Sequence, residues 1–241
     1  LARAYNTMAE QLEQLDQSRN QFVSNASHEL KTPMTTMKIL LENILYQPDM
    51  PEELRTEFLQ DMNHEIDRLT DIVSDLLTLT RMDAGNTTMQ WEEIDLPLLV
   101  QDTIHQLDPA AEKRDQSFKL DGPGTLKLIA DSAKLNQILY NLIENAMKYS
   151  PENGQVEIAL SRTGRNASLV VKNSTLPMEK GNKDQLFERF TRADSSRNSE
   201  AGGFGLGLAV AKAVTEAHKG KIHAVSEDGQ SLTVTAELPV L

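Results

Sequence analysis

The sequence predicts an antiparallel helical hairpin that dimerises, followed by a layered α+β sandwich domain. Three observations carry this expectation. From Leu1 to about Tyr46 no Gly occurs, the only Pro is Pro33, and apolar residues return at three- and four-residue steps: Met8, Leu12, Leu15, Phe22, Leu30, Met37, Leu41 and Ile44. That spacing marks one face of a long helix. Gln47-Pro48-Asp49-Met50-Pro51 breaks the run, and a second helical pattern follows with Leu54, Phe58, Met62, Ile66, Leu69, Val73 and Leu76, ending near Gly85. Beyond Gly85, helical stretches alternate with short strand-like ones.

Two helices on a short loop make a hairpin, and a hairpin alone covers only one stripe per helix. Both stripes run for many turns, so pairing with a second copy into a four-helix bundle is expected, and with it a homodimer. In the second half, a strand-like Gln90 to Asp95 precedes a helix through Lys113. Strands near Ser117 to Leu120 and Leu126 to Ala130 come next, then a helix from Ser132 to Tyr149. Paired strands Gln155 to Ser161 and Ser168 to Asn173, a polar Gly-bearing loop, a helix Leu206 to His218 and strands Lys221 to Ser226 and Leu232 to Leu238 complete it. The expected divisions are a signalling helix over 1–16, the hairpin over 17–86 and the sandwich over 92–241, with the linker in Arg81 to Thr88.

Composition narrows the chemistry. With 241 residues, 39% of them hydrophobic, the chain is globular in composition and long enough for two modest domains. It has no Cys, which excludes disulfides, thiolate metal sites and cysteine nucleophiles and fits a reducing cytoplasm. A net charge of -12 opposes binding to nucleic acid, whose phosphates must be met by clustered Lys and Arg. No apolar run approaches the ~20 residues that span a bilayer. With no leader and a start at Leu1, the chain is expected to be part of something longer, with any membrane segment lying upstream.

The strongest local signal is Ser24-Asn25-Ala26-Ser27-His28-Glu29-Leu30-Lys31-Thr32-Pro33, in mid-helix. An interior Pro removes a hydrogen bond and typically costs ~3 kcal/mol, which suggests a bend beside His28. A neutral imidazole is a competent nucleophile toward phosphorus if its proton can leave, and Glu29 is the adjacent base candidate. Thr32, one turn on, shares the face of His28 and could orient a water. A helical His-Glu pair taken alone is usually just a solvated polar pair, the better reading for His64-Glu65. Around His28 the flanking pattern reverses those odds, because it resembles the phosphoacceptor box of the HisKA class of sensor histidine kinases. The resemblance implies that His28 is phosphorylated, that Glu29 is the general base and that Thr32 serves a phosphatase reaction.

The second signal is Asn141-Leu142-Ile143-Glu144-Asn145-Ala146-Met147-Lys148-Tyr149-Ser150. Asn141, Asn145 and Lys148 share one helix face, where amide oxygens suit Mg²⁺ and an ammonium suits phosphate. Such a face is more often plain solvent surface, yet the pattern resembles the N-box of the GHKL ATPases. By that resemblance Asn141, Asn145, Lys148 and Tyr149 contact ATP, and Asn145 holds Mg²⁺. The third is Gly202-Gly203-Phe204-Gly205-Leu206-Gly207-Leu208, leading into a helix. Glycines let amides approach phosphate, and the helix N-terminus adds N–H groups and a positive dipole end. It is neither a Walker nor a Rossmann loop, but it resembles the G2 box of histidine kinases, implicating Gly203, Gly205, Leu206 and Gly207. Leu186-Phe187-Glu188-Arg189-Phe190 resembles their F-box, placing Phe190 at the nucleotide and residues 191–203 in the lid over it, with Arg192 reaching the γ-phosphate.

One box departs from the family. Where Asp-x-Gly-x-Gly usually contacts adenine, this chain reads Asn173-Ser174-Thr175-Leu176-Pro177. Asn173 keeps an oxygen acceptor but loses the charge. Four boxes in family order over residues 24–207 imply a Bergerat-type ATP-binding sandwich behind a dimerising hairpin: a sensor histidine kinase using ATP and Mg²⁺, with a cognate response regulator as partner. The start, Leu1 to Ala9, resembles the end of a HAMP helix, which implies a membrane-anchored receptor upstream. The rivals are a non-catalytic scaffold that has lost ATP and a GHKL ATPase of the chaperone or topoisomerase kind, which would lack the His-bearing hairpin.

Overall fold

The computed structural model describes residues 2–85, 87–191 and 204–240, which form two compact units, Leu1–Leu77 and Thr78–Leu241. In the first, α1 (Ala2–Tyr46) and α2 (Glu52–Asp83) are joined by a short turn, in which the Met50 amide donates to the Gln47 carbonyl at 3.1 Å. Glu52 and Glu53 lie in the first turn of α2 and Arg81 in its last, each opposite in sign to the end of the helix dipole it neighbours. α1 runs on through Pro33. Around that missing amide, the hydroxyls of Ser27, Thr32, Thr35 and Thr36 each donate to the carbonyl four residues back, at 2.8 to 3.3 Å. Of the residues in the two stripes, Leu41, Ile66 and Val73 remain exposed, together with Val23, Ile39, Leu45, Leu59 and Leu77. No helix among the described residues is long and apolar enough to cross a membrane.

The second unit is a mixed sheet with helices on one face. β1 (Trp91–Asp95) pairs antiparallel with β3 (Lys127–Asp131) as a separate ribbon. The main sheet has the order β2-β4-β5-β8-β7-β6, with β2 (Ser117–Asp121) parallel to β4 (Gln155–Thr163) and the other pairs antiparallel. β5 (Asn166–Ser174) and β8 (Ser231–Pro239) form the centre, flanked by β7 (Lys221–Ser226) and the two-residue β6 (Gly181–Asn182). Alternation along the strands sets one face inward: Val156, Ile158 and Leu160, then Ala167, Leu169 and Val171, then Leu232, Val234, Ala236 and Leu238 are all buried. Against it pack α4 (Ser132–Tyr149) and α5 (Gly207–Ala217), with α3 (Leu96–Glu112) beside α4. Leu135, Ile138, Leu139, Leu142 and Ile143 of α4 are almost fully buried, the three-to-four spacing of a core stripe.

His218, at the end of α5, ties this core to the start of α4. Its Nδ1 lies 2.8 Å from the Val214 carbonyl and its Nε2 3.1 Å from the Asp131 amide, so the neutral tautomer with its proton on Nδ1 satisfies both. The indole of Trp91 packs edge-on at 5.4 Å. Burial holds the imidazole below its ordinary value of 6.5, although the Val214 carbonyl and Asp131 carboxylate favour the charged form. The unfolded chain takes up a proton below about pH 6.5 that the folded one refuses, so stability falls as pH drops below that value. Thermal melting should therefore shift downward between pH 7.5 and 5.5, and His218→Gln should flatten that part of the profile. An unchanged slope in the variant would show that another group carries it.

Candidate active site

α4 begins at Asp131, whose side chain accepts from the Lys134 amide at 3.1 Å, the Gln90 amide at 2.9 Å and the Lys134 ammonium at 2.8 Å. Burial opposes its ionisation, but these donors outweigh that and hold the carboxyl below its usual range. The fixed helix start sets the rotation of the face that bears Asn141, Asn145 and Lys148. All three are half-buried rather than sealed in the core. Asn141 donates from Nδ2 to the Gly207 carbonyl at 3.1 Å, which pins the glycine loop to this face. The side-chain amide of Asn145 makes no hydrogen bond to a described residue. Lys148 is paired with Glu144 at 2.9 Å, and Tyr149 is half-buried beside it.

Across from this face, α5 starts at Gly207 with Leu206 at its N-cap and no side chain capping it. An uncapped N-terminus with glycines before it is suited to an anion, because its amides have no other partner within the helix. Gly205 has φ +69, and a Cβ there would come within 2.6 Å of the Thr191 carbonyl oxygen. Its own carbonyl accepts from the Phe190 amide at 2.9 Å. Phe190 is itself at φ 61, a left-handed conformation that is strained for an aromatic residue. It closes the segment that follows a short 3-10 turn, Asp184–Phe187, in which Phe187 is buried.

Asn173 ends the inward-facing series Ala167, Leu169, Val171 of β5 and is only 3% exposed. Its Nδ2 donates to the Ser174 carbonyl at 2.8 Å, which fixes the amide orientation. No described residue donates to its Oδ1, so the group presents an acceptor. Hydrogen bonds thus join Asn141 to Gly207 and Phe190 to Gly205, and helical spacing adds Asn145, Lys148 and Tyr149. Arg192 and Gly203 lie outside the described residues. His28, Glu29 and Thr32 belong to the first unit, where His28 is exposed on α1 and the Thr32 hydroxyl donates to its carbonyl. Two further residues, Arg114 and Gln116, close the far end of α4. No local pattern marks them, since their partners lie 31 to 36 residues away.

A helix-covered mixed sheet with an uncapped, glycine-preceded helix start, following in the chain a long helical pair that displays a His, is the domain pairing of the sensor histidine kinases. The chain belongs to the sensor histidine kinase family. Residues 18–85 match the His Kinase A (phospho-acceptor) domain, and residues 130–241 match the Histidine kinase-, DNA gyrase B-, and HSP90-like ATPase family. The sensor-like histidine kinase SenX3 of Mycobacterium tuberculosis is 34% identical over 94% of this chain and 55% of its own length. The sensor histidine kinase WalK of Bacillus subtilis is 34% identical over 94% of the chain and 38% of its own. The chain therefore spans about half the length, or less, of these curated relatives. Among solved structures, the Acinetobacter baumannii histidine kinase AdeS superposes with a TM-score of 0.73 at 25% identity, over 88% of this chain and 98% of that one.

Proposed function

We propose that this chain transfers the γ-phosphoryl group of ATP to His28 and passes it on to an aspartate of a response regulator. The observation that carries the reading is the Asn141 to Gly207 hydrogen bond, which sets the amide-and-lysine face of α4 beside the uncapped start of α5. Asn145 has an uncommitted amide oxygen on that face, a hard donor suited to Mg²⁺. Among the described residues no group of three or more His, Asp or Glu side chains could hold a metal alone, so phosphate oxygens would complete the shell. The bound ion would supply charge neutralisation to the triphosphate. Lys148 leaves Glu144 to meet phosphate, and the Gly205 to Gly207 amides cradle it. Imidazole nitrogen then forms the N–P bond as the bond to the ADP oxygen breaks, while Glu29 takes the imidazole proton. Catalysis is positioning and charge compensation.

The response regulator enters by analogy with the histidine kinase ThkA, which shares this fold and was solved in complex with the response regulator protein TrrA. Dimerisation follows from the exposed apolar residues of the hairpin and from the phospho-acceptor family match. Sedimentation of the chain should show a concentration-dependent dimer, while residues 92–241 alone stay monomeric. A tight dimer of that fragment would move the interface to the sandwich. The function itself is tested by incubation with γ-labelled ATP: acid-labile, base-stable label on the chain is expected, and its absence at saturating ATP favours a scaffold.

Asn173 is the adenine contact in this reading. Asn173→Ala removes this acceptor and should raise the apparent KM for ATP about tenfold, roughly 1.4 kcal/mol, with little change in kcat because the base lies far from the reacting phosphate. Asn173→Asp gains charge assistance worth on the order of 1 kcal/mol. It also turns a carboxylate oxygen toward the Ser174 carbonyl, and the loss of that hydrogen bond offsets a similar amount. Affinity of the Asp variant should stay within a factor of a few of the parent. Calorimetry with a non-hydrolysable ATP analogue measures the series, and equal binding by all three would remove Asn173 from the site.

A further inference from the structure

The last turn of α4 carries Asn145, Lys148 and Tyr149, and its closing differs from that of its neighbours. α3 ends in a Schellman turn: the Gln116 amide donates to the Ala111 carbonyl at 3.0 Å and the Asp115 amide to Glu112 at 3.1 Å, with Asp115 at φ 52. α5 ends the same way, with the Gly220 amide on Thr215, the Lys219 amide on Glu216, and Lys219 at φ 59. α4 has no such turn. Its C-cap, Ser150, is extended at φ -75, ψ 147 and is followed by Pro151, which has no amide to give.

The Ser150 amide reaches the Ala146 and Met147 carbonyls at 3.1 and 3.3 Å, and the final carbonyls of α4 are met besides by two side chains thrown off the Schellman turn of α3. The Arg114 guanidinium donates to the carbonyls of Met147 at 3.0 Å, Lys148 at 3.3 Å and Ser150 at 3.0 Å. The Gln116 Nε2 lies 3.1 Å from Met147, 3.2 Å from Ser150 and 2.9 Å from the Pro151 carbonyl. Gln116 is 7% exposed, and its Oε1 is buried with no hydrogen-bond partner. A buried orphan acceptor is destabilising, and an apolar side chain of that size would avoid it. What the side chain contributes here is the donor half of its amide. A planar guanidinium reaching three carbonyls holds a helix end in one geometry, which a flexible ammonium does not.

We propose that Arg114 and Gln116 are positioning residues for nucleotide binding: their shared clamp on the C-terminal carbonyls of α4 holds Lys148 and Asn145 where ATP meets them. This rests on the reading of Asn145 and Lys148 as nucleotide contacts. Without the clamp the last turn frays, because the Lys148 and Ser150 carbonyls lose their side-chain donors and Met147 keeps only the 3.3 Å Ser150 amide, and each binding event must first re-form it.

The test uses the full chain and a non-hydrolysable ATP analogue with Mg²⁺. Arg114→Met should raise Kd about tenfold, Arg114→Lys should recover part of that, and Gln116→Met should weaken binding several-fold while its Tm holds or rises. Amide exchange at residues 147–150 should quicken in step with the loss of affinity, and the KM for ATP should move more than kcat. If exchange quickens while Kd and KM stay at the parent values, the clamp is structural only and the proposal fails. Asn145→Ala and Lys148→Ala run alongside. If they weaken binding and the clamp variants do not, only the proposal falls. If they too leave Kd unchanged, the site reading falls and the proposal with it. Should Arg114→Met not fold, the Arg114→Lys and Gln116→Met pair decides by the same criterion.

Discussion

Replacing His28 with Gln should abolish labelling of the chain from γ-labelled ATP, a loss on the order of 10⁴-fold or more, the scale seen when a nucleophile is deleted. The chain has five histidines; the structure sets two of them aside, and the residues flanking His28 distinguish it from His64. His218 is buried with both ring nitrogens committed, and His105 lies 3.4 Å from the Asp108 carboxylate. His28 is exposed on α1, and neither of its ring nitrogens is hydrogen-bonded to a described residue. An open ring nitrogen with Glu29 next in sequence is what attack on a phosphoryl group needs. Gln at the same place keeps the helix and removes the nucleophile, so circular dichroism should be unchanged while the label disappears. Thr32→Ala is the contrasting arm. Its hydroxyl is held only by a 3.3 Å bond to the His28 carbonyl and can turn to a water, so this variant should keep self-labelling and lose dephosphorylation of a phosphorylated regulator. Label that persists in His28→Gln places the acceptor elsewhere.

Gly205→Ala is the second change of large effect. A Cβ at this position would lie 2.6 Å from the Thr191 oxygen, 2.8 Å from the Phe190 carbonyl carbon and 2.9 Å from the Thr191 nitrogen. All three are backbone atoms, so no rotamer change relieves them. The left-handed φ adds about 1–2 kcal/mol for a non-Gly residue, and forced overpacking typically adds about 1–3 kcal/mol. The loop escapes this by moving off the Phe190 segment, which breaks the Phe190 to Gly205 hydrogen bond and carries the phosphate-facing amides with it. ATP affinity should fall roughly 30-fold or more, at ~1.4 kcal/mol per factor of ten. Gly164→Ala separates the two costs: it has φ +62 with nothing within 4 Å of the added Cβ and lies in the β4–β5 turn. It should lose a little stability and bind ATP as the parent does. If Gly205→Ala also binds like the parent, the glycine loop is not the phosphate cradle.

Much of this protein can be read along the chain. The helix from Ser132 to Tyr149 has the bounds its periodicity gives, because a buried stripe every three to four residues is a local property. The hairpin is equally plain, with Gln47 to Pro51 stopping one amphipathic run before another starts. The boxes around His28, Asn145 and Gly205 are runs of adjacent residues whose spacing is itself the signal. β6 escapes such a reading, since two residues have no period and exist as a strand only through Ser226 and Val225 across from them. The 3-10 turn at Asp184–Phe187 escapes it as well, one turn being too short to show a stripe.

Local pattern thus determined which of the longer elements form, which face each turns inward and which residue types bear chemistry. The tertiary structure alone decided which of those residues meet. Asn141 reaches Gly207 across 66 residues, His218 reaches Asp131 across 87, and Arg114 closes α4 from a turn more than 30 residues earlier. β2 joins β4 in parallel, a pairing no hairpin turn announces. Periodicity records that a side chain faces the core or a polar edge, but a hydrogen bond across the fold depends on how separate elements are rotated and stacked. That rotation is set by the summed packing of Leu135, Ile138, Leu142 and their partners on the sheet rather than by any neighbour in sequence.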